Sequence, residues 1–99
     1  MIKNEHISTL VDSLSQRLFN VIDVREAGEY ASGHVPGAIN IPLSEFANRY
    51  TELDKNTHYH IICQMGGRSA QASLFLDGQG YDVTNIDGGT ASWLGELEH

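Results

Sequence analysis

The chain has 99 residues, 40% of them apolar, which suits one compact globular domain and leaves no room for two. Its 13 acidic against 6 basic side chains give a net charge of −7, which argues against a nucleic-acid or anionic-membrane surface. One cysteine excludes an internal disulfide, and a lone thiol is better kept in a reducing compartment.

Met1 to His6 is polar and no apolar h-region follows it. No run reaches the roughly 20 apolar residues of a spanning helix, so a cytoplasmic location is expected. Residues 1–96 read as a single domain, and Leu97-Glu98-His99 looks like the start of a vector-derived histidine tag, set aside from the fold. A monomer is the expected state for a small domain with a complete core.

Ile7, Leu10, Val11, Leu14 and Leu18 recur at helical spacing, which predicts an amphipathic helix over Ile7–Leu18 with Ser8 or Thr9 as its cap. Phe19 to Val24 is a short β-branched run that suits a buried parallel strand, with Asp23 and Arg25 at its carboxyl end. In open α/β sheets that edge is where ligands bind. A short helix over Glu26–Ser32 can be ended by Gly33, Pro36-Gly37 marks a turn, and Ala38 to Ile41 reads as a strand before a helix over Ser44–Tyr50. Tyr59–Cys63 is the next strand, Arg68–Gln79 the next helix and Asp82–Ile86 the last strand. Asp87-Gly88-Gly89 then turns into a terminal helix holding Trp93 and Leu94. Such alternation implies an α/β fold, a small parallel sheet covered by helices on both faces.

The most informative stretch is Ile61-Ile62-Cys63-Gln64-Met65-Gly66-Gly67-Arg68-Ser69: a strand, a tight loop and a helix start. Free N–H groups of a first helical turn and the helix dipole favour negative charge there, so Cys63 is expected to ionise easily and to act as a nucleophile. Two adjacent glycines, Gly66 and Gly67, let the loop bend around a ligand. Arg68 is expected to pair with a carboxylate such as Asp23, to contact substrate, or both. His34 reads as structural rather than as a base for the cysteine. His58 and His60 share one side of a strand but lack a third ligand, so solvent-facing histidines are expected in place of a metal pair. Trp93 reads as core, and Asp87 as shaping its turn through hydrogen bonds to backbone.

These residues carry a resemblance to the single-domain rhodaneses of the thiosulfate sulfurtransferase superfamily. Asp23-Val24-Arg25-Glu26 resembles the family's strand-end motif, and Gly33-His34-Val35-Pro36-Gly37-Ala38-Ile39-Asn40-Ile41-Pro42 its amino-terminal signature. Cys63 to Ser69 is similar to the active-site loop, and Asp87-Gly88-Gly89 with Trp93 to the carboxyl-terminal signature. The resemblance implies a sheet of about five strands and sulfur transfer through a Cys63 persulfide. Gln64, Met65, Gly66, Gly67, Arg68 and Ser69 would form the substrate-binding loop, with Asp23 and Arg25 in support. It implies no metal or organic cofactor. The partners would be a small-molecule or protein-bound sulfur donor, such as thiosulfate or a persulfide, and a thiol or cyanide acceptor. The alternatives are a non-catalytic binding or regulatory module, a redox-sensing thiol, and a phosphatase or arsenate reductase. The last pair is disfavoured because the loop from Cys63 to Arg68 is shorter than related phosphatase-type loops. Gln64 and Met65 stand where many thiosulfate-using relatives carry cations, which turns the expected donor from thiosulfate toward a persulfide.

Overall fold

The computed structural model describes residues 2–99. Five strands, β1 (Lys3–His6), β2 (Asn20–Asp23), β3 (Ile39–Asn40), β4 (His58–Ile62) and β5 (Asp82–Asp87), form one sheet in the order β1-β5-β4-β2-β3. Every pairing is parallel. The helices are α1 (Val11–Ser15), α2 (Ala27–Ala31), α3 (Leu43–Arg49) and α4 (Gly67–Gly78), with short 3-10 turns at Ile7–Thr9, Tyr50–Glu52 and Thr90–Ser92.

Strand alternation sorts the core into two layers, one on each face of the sheet. Ile22, Ile61 and Val83 face Phe46 of α3 and Ala72 and Leu76 of α4. Val21, Ile62 and Ile86 face Ile7, Leu10, Leu14, Val35 and Trp93 on the other side. Ile61 and Ile62 are both fully buried. Each such side chain contributes about 1.5–3 kcal/mol, several times a surface ion pair, so packing sets the position of β4. Cys63 follows directly, and the two-residue period turns it to the α3 and α4 face with Ile61.

Connectivity reverses between β2 and β4: the chain leaves β2 for β3 on one flank, and after β4 moves to β5 on the other. Asp23 lies beside Ile62 in the register, and Val24 N–H donates to Ile62 O at 2.9 Å. The carboxyl ends of these two strands therefore open at the crevice where parallel sheets place their ligands.

The sequence expectations need four corrections here. The Ile7–Leu18 helix is a 3-10 turn followed by the five-residue α1, because Arg17 adopts a left-handed φ of 57° that ends it, and Leu18 is 65% exposed outside the buried stripe. Its first turn is capped by the His6 ring, which accepts from Ser8 N–H at 3.2 Å, and not by Ser8 or Thr9. The terminal helix is only the Thr90–Ser92 turn, because Trp93 takes extended backbone, φ −70° and ψ 128°, directly after it. His58 and His60 do share a side, with ring centroids 5.0 Å apart, but they do not face solvent freely. His60 is buried and stacked on Phe19 at 4.0 Å, while half-buried His58 pairs with Asp82 at 2.8 Å and contacts Thr84 Oγ1 at 2.9 Å.

The remaining strands and helices fall within a few residues of their predicted spans. β1 escaped the residue reading because it is a polar edge strand with no alternation. Trp93 is buried in the core, its indole N–H donating to Glu96 O at 3.0 Å. Gly33 ends the α2 region with a φ of 143°, as the helix-stop reading anticipates. Residues 97–99, set aside above, lie against the domain: Glu98 bridges the His34 backbone in antiparallel fashion, and its carboxylate pairs with Arg17 and accepts from Gly37 N–H. Among the described residues no helix is long and apolar enough to cross a membrane.

Candidate active site

The loop from Cys63 to Gly66 wraps its own cysteine. Gly66 takes a φ of 113°, which a side chain would resist, and this lets its N–H turn inward to the Cys63 Sγ at 3.1 Å. The twelve-residue α4 begins at Gly67, so its free first-turn donors and dipole are aimed at the same sulfur. Ser69, fully buried in that first turn, accepts from the Cys63 thiol at its Oγ at 3.3 Å and donates to Gly66 O at 3.1 Å; when the thiol loses its proton, the hydroxyl rotates to donate to the thiolate instead.

These donors decide the ionisation of Cys63. Burial of the thiol pushes its pKa up. The Ser69 hydroxyl and the N–H groups of Ser69, Gly66 and Met65 outweigh burial, and the pKa lies below the ordinary cysteine value. The thiol borders an open depression of about 330 Å³ lined by Cys63, Gln64, Met65, Gly67 and Arg68. Met65 stands at its rim, 77% exposed.

The loop is held from behind by the turn after β5. Gly89 has a φ of 59°, and a Cβ there would lie 2.4 Å from Cys63 O and 2.6 Å from Gln64 O. That close approach allows Thr90 N–H and Ala91 N–H to donate to those two carbonyls, each at 2.9 Å. With its carbonyls fixed backward, the loop keeps its N–H groups forward. From the sequence, Asp87-Gly88-Gly89 reads as a turn and as part of the carboxyl-terminal signature, with no role behind the loop; its two adjacent glycines are the signal for a backbone approaching backbone. Asp87 Oδ1 accepts from the Asn85 side chain at 3.1 Å.

Two ion pairs brace the mouth, and one differs from expectation. Asp23 pairs not with Arg68 but with Arg25, whose Nε and Nη2 donate to it at 3.1 and 2.8 Å with both groups almost fully buried. Arg25 donates further to Gly33 O at 2.8 Å and to Gln64 Oε1 at 3.3 Å, which ties β2 to the loop. Asn40 bonds the carbonyls of Asp23 and Arg25 at 2.9 and 2.8 Å, a brace that sequence reasoning missed. Arg68 instead makes a two-point pair with Glu29 of α2, at 2.7 and 3.0 Å. Two residues apart on one strand end, Asp23 and Arg25 satisfy each other, leaving Arg68 to the nearest free carboxylate. The Arg68 guanidinium holds the Glu29 carboxyl down at about 2.

His34 is buried, stacked on Tyr30 at 3.7 Å with Nδ1 2.9 Å from Tyr30 O, the structural setting expected for it. Among the described residues, no three His, Cys, Asp or Glu side chains are grouped to hold a metal.

Comparison with known proteins places this geometry. A family profile described as a rhodanese-like domain matches residues 6–96. The chain belongs to the rhodanese-like family. This rhodanese-like chain is 40% identical over 85 residues to the candidate sulfur carrier protein YrkF of Bacillus subtilis, covering 85% of itself and 46% of YrkF, just under half of that relative's length. It is 38% identical over 88 residues to a protein of Allochromatium vinosum named sulfurtransferase, covering 83% of itself and 82% of the relative. Among solved structures, a rhodanese-related protein of Thermoplasma volcanium superposes with a TM-score of 0.83 at 33% identity, covering 93% of this chain and 90% of that one. A five-stranded parallel sheet flanked by helices is thus the rhodanese-like fold, and named relatives support a role of the sulfurtransferase type.

Proposed function

We propose that this protein is a sulfurtransferase that carries sulfane sulfur as a Cys63 persulfide. The observation that carries the reading is the convergence of Gly66 N–H and the Ser69 hydroxyl on a buried Cys63 sulfur at the start of α4. The Cys63 thiolate attacks the outer sulfur of a donor such as thiosulfate or a persulfide. A bond forms between the two sulfurs as the donor's own bond breaks, and sulfite or a thiolate leaves with the electron pair. A cyanide or thiolate acceptor then attacks the terminal sulfur, and Cys63 leaves as thiolate.

In this reading Cys63 is the catalytic residue, and the backbone of Gln64 to Ser69 cradles the persulfide anion as preorganised donors do for other developing charges. Asp23 and Arg25 support the loop by holding Gln64. The chemistry asks for no metal or organic cofactor, and the reducing cytoplasm is the fitting compartment for a monomer of this kind.

Intact-mass measurement after incubation with a donor tests the proposal. A gain of one sulfur, about 32 Da, on the wild type and none on Cys63→Ser is expected, with cyanide removing the added mass. No adduct from thiosulfate, a thiosulfonate or a persulfide contradicts transfer and favours a binding module.

A further inference from the structure

Both cations beside the loop are already engaged. Arg25 is bound to Asp23 inside the protein, and Arg68, which lines the depression, is bound at two points to Glu29. The other four lysines and arginines lie on β1, after α1, at the end of α3 and in the connection before β4. They pair with Glu5, with Glu98, with Glu45 and Glu52, and with the Tyr81 ring. The mouth therefore presents a neutral amide from Gln64, an exposed thioether from Met65 and a neutralised arginine. An anion arriving there meets little net attraction beyond the backbone donors around the sulfur.

Resting on the transferase reading, we propose that Glu29 is a specificity-determining positioning residue: by clamping Arg68 it cancels the mouth's available positive charge, so the loop favours sulfur donors of low negative charge over dianionic ones. Glu29 touches neither the sulfur nor its donor. Its carboxylate also accepts from Glu26 N–H at 3.1 Å in the α2 capping box. Glu29→Gln keeps a side-chain oxygen for that cap and removes the charge, freeing Arg68 to face the depression. The pair is a little over one-third exposed on each side, so its field reaches an incoming ligand but is screened by salt.

Two donors of matched chemistry and different charge test this. Thiosulfate, a dianion, gives up its sulfane sulfur with sulfite leaving; methanethiosulfonate, a monoanion, does so with methanesulfinate leaving. At low ionic strength Glu29→Gln should raise the ratio of kcat/KM for thiosulfate to that for methanethiosulfonate by about three- to tenfold. Glu29→Asp should restore the wild-type ratio, and high salt should erase the gain. Alkylation of Cys63 provides a readout that needs no sulfur transfer: the rate ratio of anionic iodoacetate to neutral iodoacetamide should rise by about two- to fivefold in Glu29→Gln. Wild-type protein that neither donor loads defeats the transferase reading. An unchanged alkylation ratio overturns the role of Glu29 whatever the donors do, and so does an unchanged donor ratio in protein that loads normally.

Discussion

The middle of β4 and the loop that follows it bury titratable side chains and treat them in opposite ways. Midway along the strand, His60 is 4% exposed, stacked on Phe19, with its Nδ1 buried and without a hydrogen-bond partner among the described residues. Burial, aided by neighbouring His58, drives its pKa down to about 4 and keeps the ring neutral. Just past the strand's end, Cys63 is 1% exposed, yet its pKa moves toward the charged form. Burial opposes charge at both places. What separates them is the set of hydrogen-bonding groups: a ring nitrogen without a partner among the described residues on one side, a hydroxyl and several N–H groups on the other. Reactivity here comes from donors preorganised inside a buried site, not from burial.

The sharpest way to break the contrast is to remove the frame that aims the donors. Arg25→Met leaves Asp23 as an unpaired buried carboxylate and cuts the tie to Gln64. It should destabilise the fold by about 3–5 kcal/mol, measured by urea unfolding. Gly89→Ala forces a methyl against Cys63 O and Gln64 O at a left-handed φ. A loss of about 2–3 kcal/mol is expected, with Cys63 alkylation at neutral pH slowed as the loop is pushed out of place. Ser69→Ala removes one donor and leaves the backbone ones, so the Cys63 pKa should rise and the alkylation rate at neutral pH should fall by about three- to tenfold.

How far this contrast could be read in advance depended on how local its causes are. Cys63 stood out because its strand, glycines and helix start are contiguous, and the donors of a helix terminus follow from chain geometry alone. The setting of His60 did not, since its stack on Phe19 joins β4 to the residue just before β2, and nothing in His58-Tyr59-His60 distinguishes a buried ring from an exposed one. The partner of Arg68 was misjudged for a related reason. Asp23 and Arg25 are near in sequence and satisfied each other, while Glu29 reaches the loop only through the packing of α2. The parallel sheet was legible from β-branched runs, whereas polar β1 became a strand only by pairing with β5.

A smaller effect sharpens the histidine side. The folded-state pKa of His60 lies below its unfolded value of roughly 6.5, so the unfolded chain binds the proton first and stability should fall as pH drops from about 6.5 to 4. Below that window both states are protonated and this contribution levels off. His60→Gln should flatten that part of the stability-against-pH curve measured by urea unfolding, with the Cys63 reaction rate unchanged. A wild-type curve already flat across the window would show that His60 titrates normally.

Because Cys63 is the chain's single cysteine, the ultraviolet thiolate absorbance of the wild type minus that of Cys63→Ser, followed against pH, reports its ionisation alone. A midpoint below the free-cysteine value of roughly 8.5 is predicted, moving upward in Ser69→Ala. A midpoint at or above that value would mean that burial outweighs the donors, and would contradict the account of this loop as a thiolate site.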